Sequence, residues 1–183
     1  MADDSKDLWK SFEGNQLTHS AAHYLMAIKE LHEEQGYARV TDVARRLNIT
    51  RGSCSLSLKA LRQRGLVEED HNRFLLLSEE GDQLARIVET NDQLLETLFR
   101  DILGVDPEQA EIDACKIEHL ISIDTSLRLH ALIRYLQSGE PAVSAFREGF
   151  KTFSETPCPK DSAVCEFCVD ACLLNQDDDE ASG

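Results

Sequence analysis

The sequence predicts a mainly α-helical fold in which an N-terminal winged helix-turn-helix is followed by a helical domain. Three observations carry this reading. Apolar residues recur at three- and four-residue spacing through most of the chain, the signature of helices that bury one face. Two short helical stretches with a tight turn between them are followed by a pattern suited to a β-hairpin. Finally, Gly36–Arg64 holds seven basic residues against one acidic residue, Asp42, inside a chain of 183 residues whose formal net charge is -15. A compact cationic island in an otherwise acidic chain is what a small nucleic-acid-reading module needs.

The elements follow in order. Residues 1–16 form a polar lead in which Trp9 and Phe12 suggest a short helix. Thr18 or Ser20 can cap the next helix, from Ala21 to Glu34, where Tyr24, Leu25, Ile28 and Leu31 share a face and Gly36 stops the run. Thr41 to Leu47 is a short helix, Asn48 and Ile49 turn, and Thr50 caps a helix to about Arg64 with Cys54, Leu58 and Leu61 inward. Leu66-Val67, a polar tip from Glu68 to Arg73, and Phe74 to Leu77 make the hairpin, with Asn72 suited to its turn. Ser78 caps a long helix to Leu103, which Gly104 ends. Pro107 opens a helix to about Ile121, Asp124 or Thr125 caps another, Gly139 and Pro141 break it, and a last helix covers about Val143 to Phe153.

A recognition helix has to present polar and cationic side chains outward. Arg51, Ser53, Ser55 and Lys59 suit base edges, while Arg39, Arg45, Arg46, Arg62 and Arg64 suit phosphates. His71 and Arg73 stand at the wing tip. No glycine-rich phosphate loop and no nucleophile with its base argue for an enzyme.

The run Glu111-Ile112-Asp113-Ala114-Cys115-Lys116-Ile117-Glu118-His119 places Glu111, Cys115, Glu118 and His119 along one helical flank. A soft sulfur, a hard oxygen and a borderline nitrogen within one turn suit Fe2+, Mn2+, Co2+ or Zn2+ better than Ca2+ or Mg2+. One helix leaves such a site incomplete. His23 and Met26 on the first helix, and Asp92 and Glu96 on the long helix, can close it.

Together, LTHSAAHYLMAIKELHEEQGYARVTDVARRLNIT, the wing with its following LSEEG, and IDACKIEHLIS make residues 17–137 resemble the diphtheria toxin repressor family of iron- and manganese-dependent regulators. The resemblance implies a homodimer that binds a palindromic double-stranded DNA operator when loaded with metal, and a helical half that serves as a metal-binding and dimerisation domain. It implies a primary site of His23, Cys115, Glu118 and His119, with Met26 where manganese-sensing relatives carry a carboxylate, and a second site of Asp92, Glu96 and Glu111. Histidine, cysteine and methionine together favour Fe2+, with Zn2+ or Co2+ admitted by affinity order, over strict Mn2+ selectivity.

Near the C-terminus, Cys158, Cys165, Cys168 and Cys172 form a separate cluster. Four thiolates at this spacing fit a [4Fe–4S] cluster or structural Zn2+. The expected organisation is therefore a winged domain over 1–80, a metal-sensing and dimerisation domain over 81–153, a cysteine segment over 154–175 and an acidic, disordered tail over 176–183. The polar start MADDSKDLWK reads as no signal peptide and no apolar run is long enough to span a bilayer, so a cytoplasmic location is expected.

Overall fold

The computed structural model describes residues 17–154; the expected helix around Trp9 and Phe12, the four-cysteine segment and the acidic tail lie outside the described residues. The chain divides into two compact units with the boundary between Ile133 and Arg134.

The first unit begins with α1, His19–Gln35, two residues earlier than its apolar periodicity suggests. Thr18 is the N-cap, its hydroxyl accepting the Ala21 N–H at 3.2 Å. The helix ends at Gly36, which takes the left-handed conformation with φ 81°. Helix α2 is Val40–Arg46 and α3 is Arg51–Gln63. Asn48, with φ 51°, makes the turn between them, and the Thr50 hydroxyl accepts the Ser53 N–H at 3.2 Å to start α3. Cys54, Leu58 and Leu61 form the inward stripe of α3, as their spacing predicts. The Cys54 thiol donates to the Val40 carbonyl at 3.5 Å, which makes it a packing residue between α2 and α3.

Strands β1, Val67–Glu69, and β2, Leu75–Leu77, pair antiparallel with Val67 opposite Leu77 and Glu69 opposite Leu75. One carboxylate oxygen of Asp70 accepts the N–H groups of Asn72 at 2.9 Å and Phe74 at 2.8 Å, closing the tip. The wing is tied to the helices by a backbone bond from Leu75 N–H to the Ala38 carbonyl at 2.8 Å. One apolar core joins α1, α2, α3 and the hairpin, and it includes Ala85 and Val88 of the next helix.

That helix, α4, is Glu79–Thr97, capped by Ser78, whose hydroxyl accepts the Gly81 N–H at 3.0 Å. Glu79, Glu80 and Asp82 in its first turn complement the helix dipole. The expected continuation to Leu103 is instead a π-helical turn, Leu98–Ile102, closed by Leu103 N–H to the Leu98 carbonyl at 3.0 Å. A five-residue closure is invisible to a 3.6-residue pattern. Helix α5 is Pro107–Ile117, with the Asp106 carboxylate accepting the Glu108 N–H at 3.0 Å. It stops four residues short of the expected end, so Glu118 stands at the cap and His119 in the turn beyond it. Helix α6, Ile123–Leu136, is capped by Ser122, whose hydroxyl accepts the Thr125 N–H at 3.2 Å, rather than by Asp124 or Thr125. Helix α4 packs along both α1 and α5. The winged part and the Cys115 helix belong to one compact unit.

The second unit holds the last turn of α6 and helix α7, Pro141–Ser154. Pro141 opens α7 rather than merely ending the helix before it, because a helix's first turn has no use for the missing N–H. Within it, the rings of Phe146 and Phe150 stack at 5.9 Å. Among the described residues, no helix is long and apolar enough to cross a membrane.

Gly81 sets how closely α4 approaches the wing. A Cβ there would meet the Leu66 carbonyl oxygen at 2.0 Å, and that atom is backbone. Gly81→Ala should cost about 1–3 kcal/mol of stability, the usual range for overpacking. A urea titration of the two proteins checks this; equal midpoints would show that the junction yields freely.

Candidate metal centre

Two helices that are remote in sequence supply the site. On α1, His19 and His23 lie four residues apart and so share a face one turn apart. On α5, Cys115 lies in the last turn, and Glu118 follows with near-helical φ -50° and ψ -40°, its N–H bonded to the Ala114 carbonyl at 2.9 Å. The helix spacing of Cys115 and Glu118 thus survives past the helix end. Asn91 of α4 is buried and donates to the Glu118 carbonyl at 2.7 Å, pinning this turn to the long helix.

One ligand atom from each of His19, His23, Cys115 and Glu118 lies within 4.8 Å of the other three. The Cys115 sulfur is 3.4 Å from His23 Nε2, and His23 Nε2 is 3.1 Å from His19 Nε2. His119 stands beside the group, its ring centroid 5.1 Å from that of His19. Glu118 is 1% exposed, and its Oε1 has no hydrogen-bond partner among the described residues. A buried oxygen without a donor, facing two imidazoles and a thiol, fits a divalent cation of intermediate softness.

The electrostatics agree with that fit. Burial, then the neighbouring Asp92 carboxyl, pushes the Glu118 carboxyl up to about 8. Burial also raises Asp92, against a hydrogen bond from Glu118 that lowers it, with Glu96 and Glu111 adding to the rise. Cys115 is raised by burial, then by Glu118, Asp92 and Glu111. His23 is lowered by burial and then by His19, and His119 by burial, His19 and His23. Without a cation every one of these groups is pushed toward its neutral form. A divalent ion reverses that pressure on the acids and the thiol, and takes neutral imidazoles as they are.

The remaining expected ligands lie differently. Met26 is half-buried and packs against the hydrophobic core. Asp92 is engaged with Glu118, and Glu96 accepts from Arg100, which also holds Asp101 at 2.8 Å. Glu111 acts on Asp92 and Cys115 through its charge. Asp92, Glu96 and Glu111 are absent from the converging four-atom group. His19 is the residue that sequence reasoning missed. Starting the first helix at Ala21 left His19 outside it, although the same four-residue rule applied from His23 would have found it. Cys158, Cys165, Cys168 and Cys172 lie outside the described residues.

On the winged part, Arg51, Ser53, Ser55 and Lys59 are exposed along α3. The Ser55 hydroxyl donates to the Arg51 carbonyl at 2.9 Å. Arg39 lies over the rings of Tyr37 and Phe74, at 5.4 and 4.9 Å from their centroids. Arg45 is exposed and 3.7 Å from Asp42. Arg46 is held by Glu30 at 2.6 Å and by Glu34, and Arg62 by Glu69. Those carboxylates compete with any phosphate for two of the expected contact arginines.

A winged helix-turn-helix that shares its first helix with a His/Cys/Glu pocket defines a metal-responsive DNA-binding regulator. Two family models match the chain: iron dependent repressor, N-terminal DNA binding domain, over residues 16–75, and iron dependent repressor, metal binding and dimerisation domain, over residues 78–141. The HTH-type transcriptional regulator MntR of Shouchella clausii is 33% identical over 131 residues, 72% of this chain and 91% of that protein. The iron-dependent repressor IdeR of Mycobacterium bovis is 31% identical over 115 residues, 63% of this chain and 50% of that protein. The crystal structure of T. acidophilum IdeR superposes with a TM-score of 0.53 at 25% identity, covering 64% of this chain and 55% of that one. The chain thus spans nine-tenths of the MntR relative but about half the length of the two IdeR proteins. The chain belongs to the iron-dependent repressor family, whose members are metal-dependent transcriptional repressors.

Glu118 yields a pH dependence. Its carboxyl ionises near 4.5 ordinarily and near 8 in the metal-free fold. The folded form therefore holds the proton more tightly than the unfolded chain. The stability this contributes is fully present below pH 4.5 and is lost as pH rises through about 8. In chelator, the urea midpoint should fall across that window, and Glu118→Gln should flatten the fall. Parallel profiles for the two proteins would refute the assignment.

Proposed function

We propose that the chain is an Fe2+-responsive repressor that binds a palindromic operator as a homodimer and controls genes of metal homeostasis. The observation that carries this is the convergence of His23 on α1 with Cys115 and Glu118 at the end of α5. Helix α1 is also a core helix of the winged part, so a ligand set that spans α1 and α5 ties the DNA-reading head to the helices behind it.

The bound ion supplies a double positive charge at the junction. His23, Cys115 and Glu118 would hold it, Glu118 offering the buried oxygen, and Asn91 holds the Glu118 backbone against α4. Cys115 and Glu118 would give up their protons to hold the ion, so affinity should rise with pH. Arg51, Ser53 and Lys59 read the duplex, with Arg39 and Arg45 on the backbone. Pairing of two copies is supported by the apolar side chains that α6 leaves outward, Ile123 at 58% and Leu127 at 62% exposure, beside Ile87 of α4. Two recognition helices set one helical turn of DNA apart demand such a symmetric partner.

Gel-shift assays on the upstream palindromes of the source genome, run anaerobically with Fe2+ or chelator, test the reading. The wild type should shift DNA only with metal, and Glu118→Gln should lose the shift while keeping its helical circular dichroism. Arg51→Ala and Lys59→Ala should weaken binding without changing metal content, the first by about 1–3 kcal/mol if it meets a base edge. Equal operator affinity with and without metal would defeat the proposal. Zinc, iron and acid-labile sulfide measured on the same sample distinguish the two fillings that suit Cys158, Cys165, Cys168 and Cys172, a [4Fe–4S] cluster and structural Zn2+.

A further inference from the structure

We propose that His19 is itself a metal ligand, and that with His23 it forms a two-nitrogen clamp on one helical turn which biases the site toward Fe2+, Co2+ and Zn2+ and away from Mn2+. This rests on the reading of Cys115, Glu118 and His23 as the core of the metal site.

Geometry is the first argument. Two nitrogens bound to one ion at about 2.05 Å stand about 2.9 Å apart at a right angle and about 3.3 Å apart at the tetrahedral angle. His19 Nε2 and His23 Nε2 are 3.1 Å apart. A nitrogen at that distance and a thiolate at about 2.3 Å stand about 3.1 or 3.6 Å apart at the same two angles. Cys115 Sγ and His23 Nε2 are 3.4 Å apart. Both separations fall in the range that donors sharing an ion adopt. Histidines four residues apart on a helix are also a general way to offer two imidazoles to one cation.

Convergence is the second argument. A histidine pair joined only by a ring N–H···N bond needs nothing opposite it. Here the pair faces a thiol and a buried carboxylate from another helix, all four ligand atoms lie within 4.8 Å, and the carboxylate's Oε1 has no partner among the described residues. His19 is exposed at the start of α1, so its imidazole closes the site from the solvent side while Glu118 closes it from within.

Donor chemistry is the third. With His19 the set is two imidazole nitrogens, one sulfur and one oxygen, and His119 stands adjacent. Imidazole and thiolate bind Fe2+, Co2+ and Zn2+ more strongly than Mn2+, which favours oxygen-rich sites. Each imidazole that joins the set widens that gap.

The test uses Co2+ and Mn2+ on the full-length chain, anaerobically, with competition titrations and visible spectra. The variants are His19→Ala, His19→Asp and Cys115→Ala. His19 is exposed, so its replacements should fold, and circular dichroism checks that they do. Wild type should bind Co2+ with a thiolate charge-transfer band that Cys115→Ala removes. His19→Ala should keep that band, shift the ligand-field bands, and weaken Co2+ at least about tenfold, a loss that even outer-sphere partners of metal ligands cause. It should weaken Mn2+ much less, so the ratio of the Mn2+ to the Co2+ dissociation constant falls. His19→Asp should lower that ratio further by restoring Mn2+ with an oxygen. If His19→Ala leaves the Co2+ affinity and ligand-field bands unchanged while Cys115→Ala abolishes the charge-transfer band, the His19 assignment fails and the core site stands. If wild type shows neither Co2+ affinity nor a charge-transfer band, the core site fails and the clamp with it.

Discussion

The structure depends on one electrostatic debt, the burial of the Glu118 carboxyl beside Asp92 with no donor for its Oε1 among the described residues. Removing a carboxylate from water costs several kcal/mol unless it is paired, so such a group either stays protonated or meets a cation. His23 and His119 are pushed toward neutrality, and the guanidinium of Arg100 is committed to Glu96 and Asp101. The pocket thus leaves the Glu118 carboxyl either a proton or an external cation as its partner.

Every neighbouring feature serves to hold that pocket in register. Asn91 fixes the turn that carries Glu118 to α4, and α4 packs on both α1 and α5. Lys29 reaches from α1 to Glu89 on α4 at 2.9 Å, a second strap between the same helices. Helix α1 faces two ways, burying Leu25, Ile28 and Leu31 in the winged core while it presents His19 and His23 to α5. The candidate metal pocket and the core of the winged part share a single helix.

Much of the fold was legible in the sequence because helices and caps advertise themselves locally. Thr50 and Ser78 cap the helices they were expected to cap, Thr18 rather than Ser20 caps the first, and the Cys54, Leu58 and Leu61 stripe faces inward. Helix ends were harder, since no local signal marks a π-helical turn at Leu98 or tells that α5 stops at Ile117. The same weakness hid His19, which became a candidate only once α1 was seen to begin there. The IDACKIEHLIS run brought Cys115 and Glu118 together because their spacing lies within one turn. Which carboxylates reach them is a question of side chains from different helices, and spacing carries no information on it. Asp92 turned to Glu118 and Glu96 turned to Arg100 could be found only in three dimensions.

The close approach of Gly81 to the Leu66 carbonyl leaves α4 and the base of the wing without slack. Ser78 N–H adds a bond to that same carbonyl at 3.1 Å. From Ser78 to Asn91 the helix forms an arm of about 20 Å at 1.5 Å per residue. On a stiff arm of that length, a tilt of about 3° at the Asn91 end displaces the wing by about 1 Å. Any rotation of α4 about its Asn91 end would thus carry the base of the wing with it as one body.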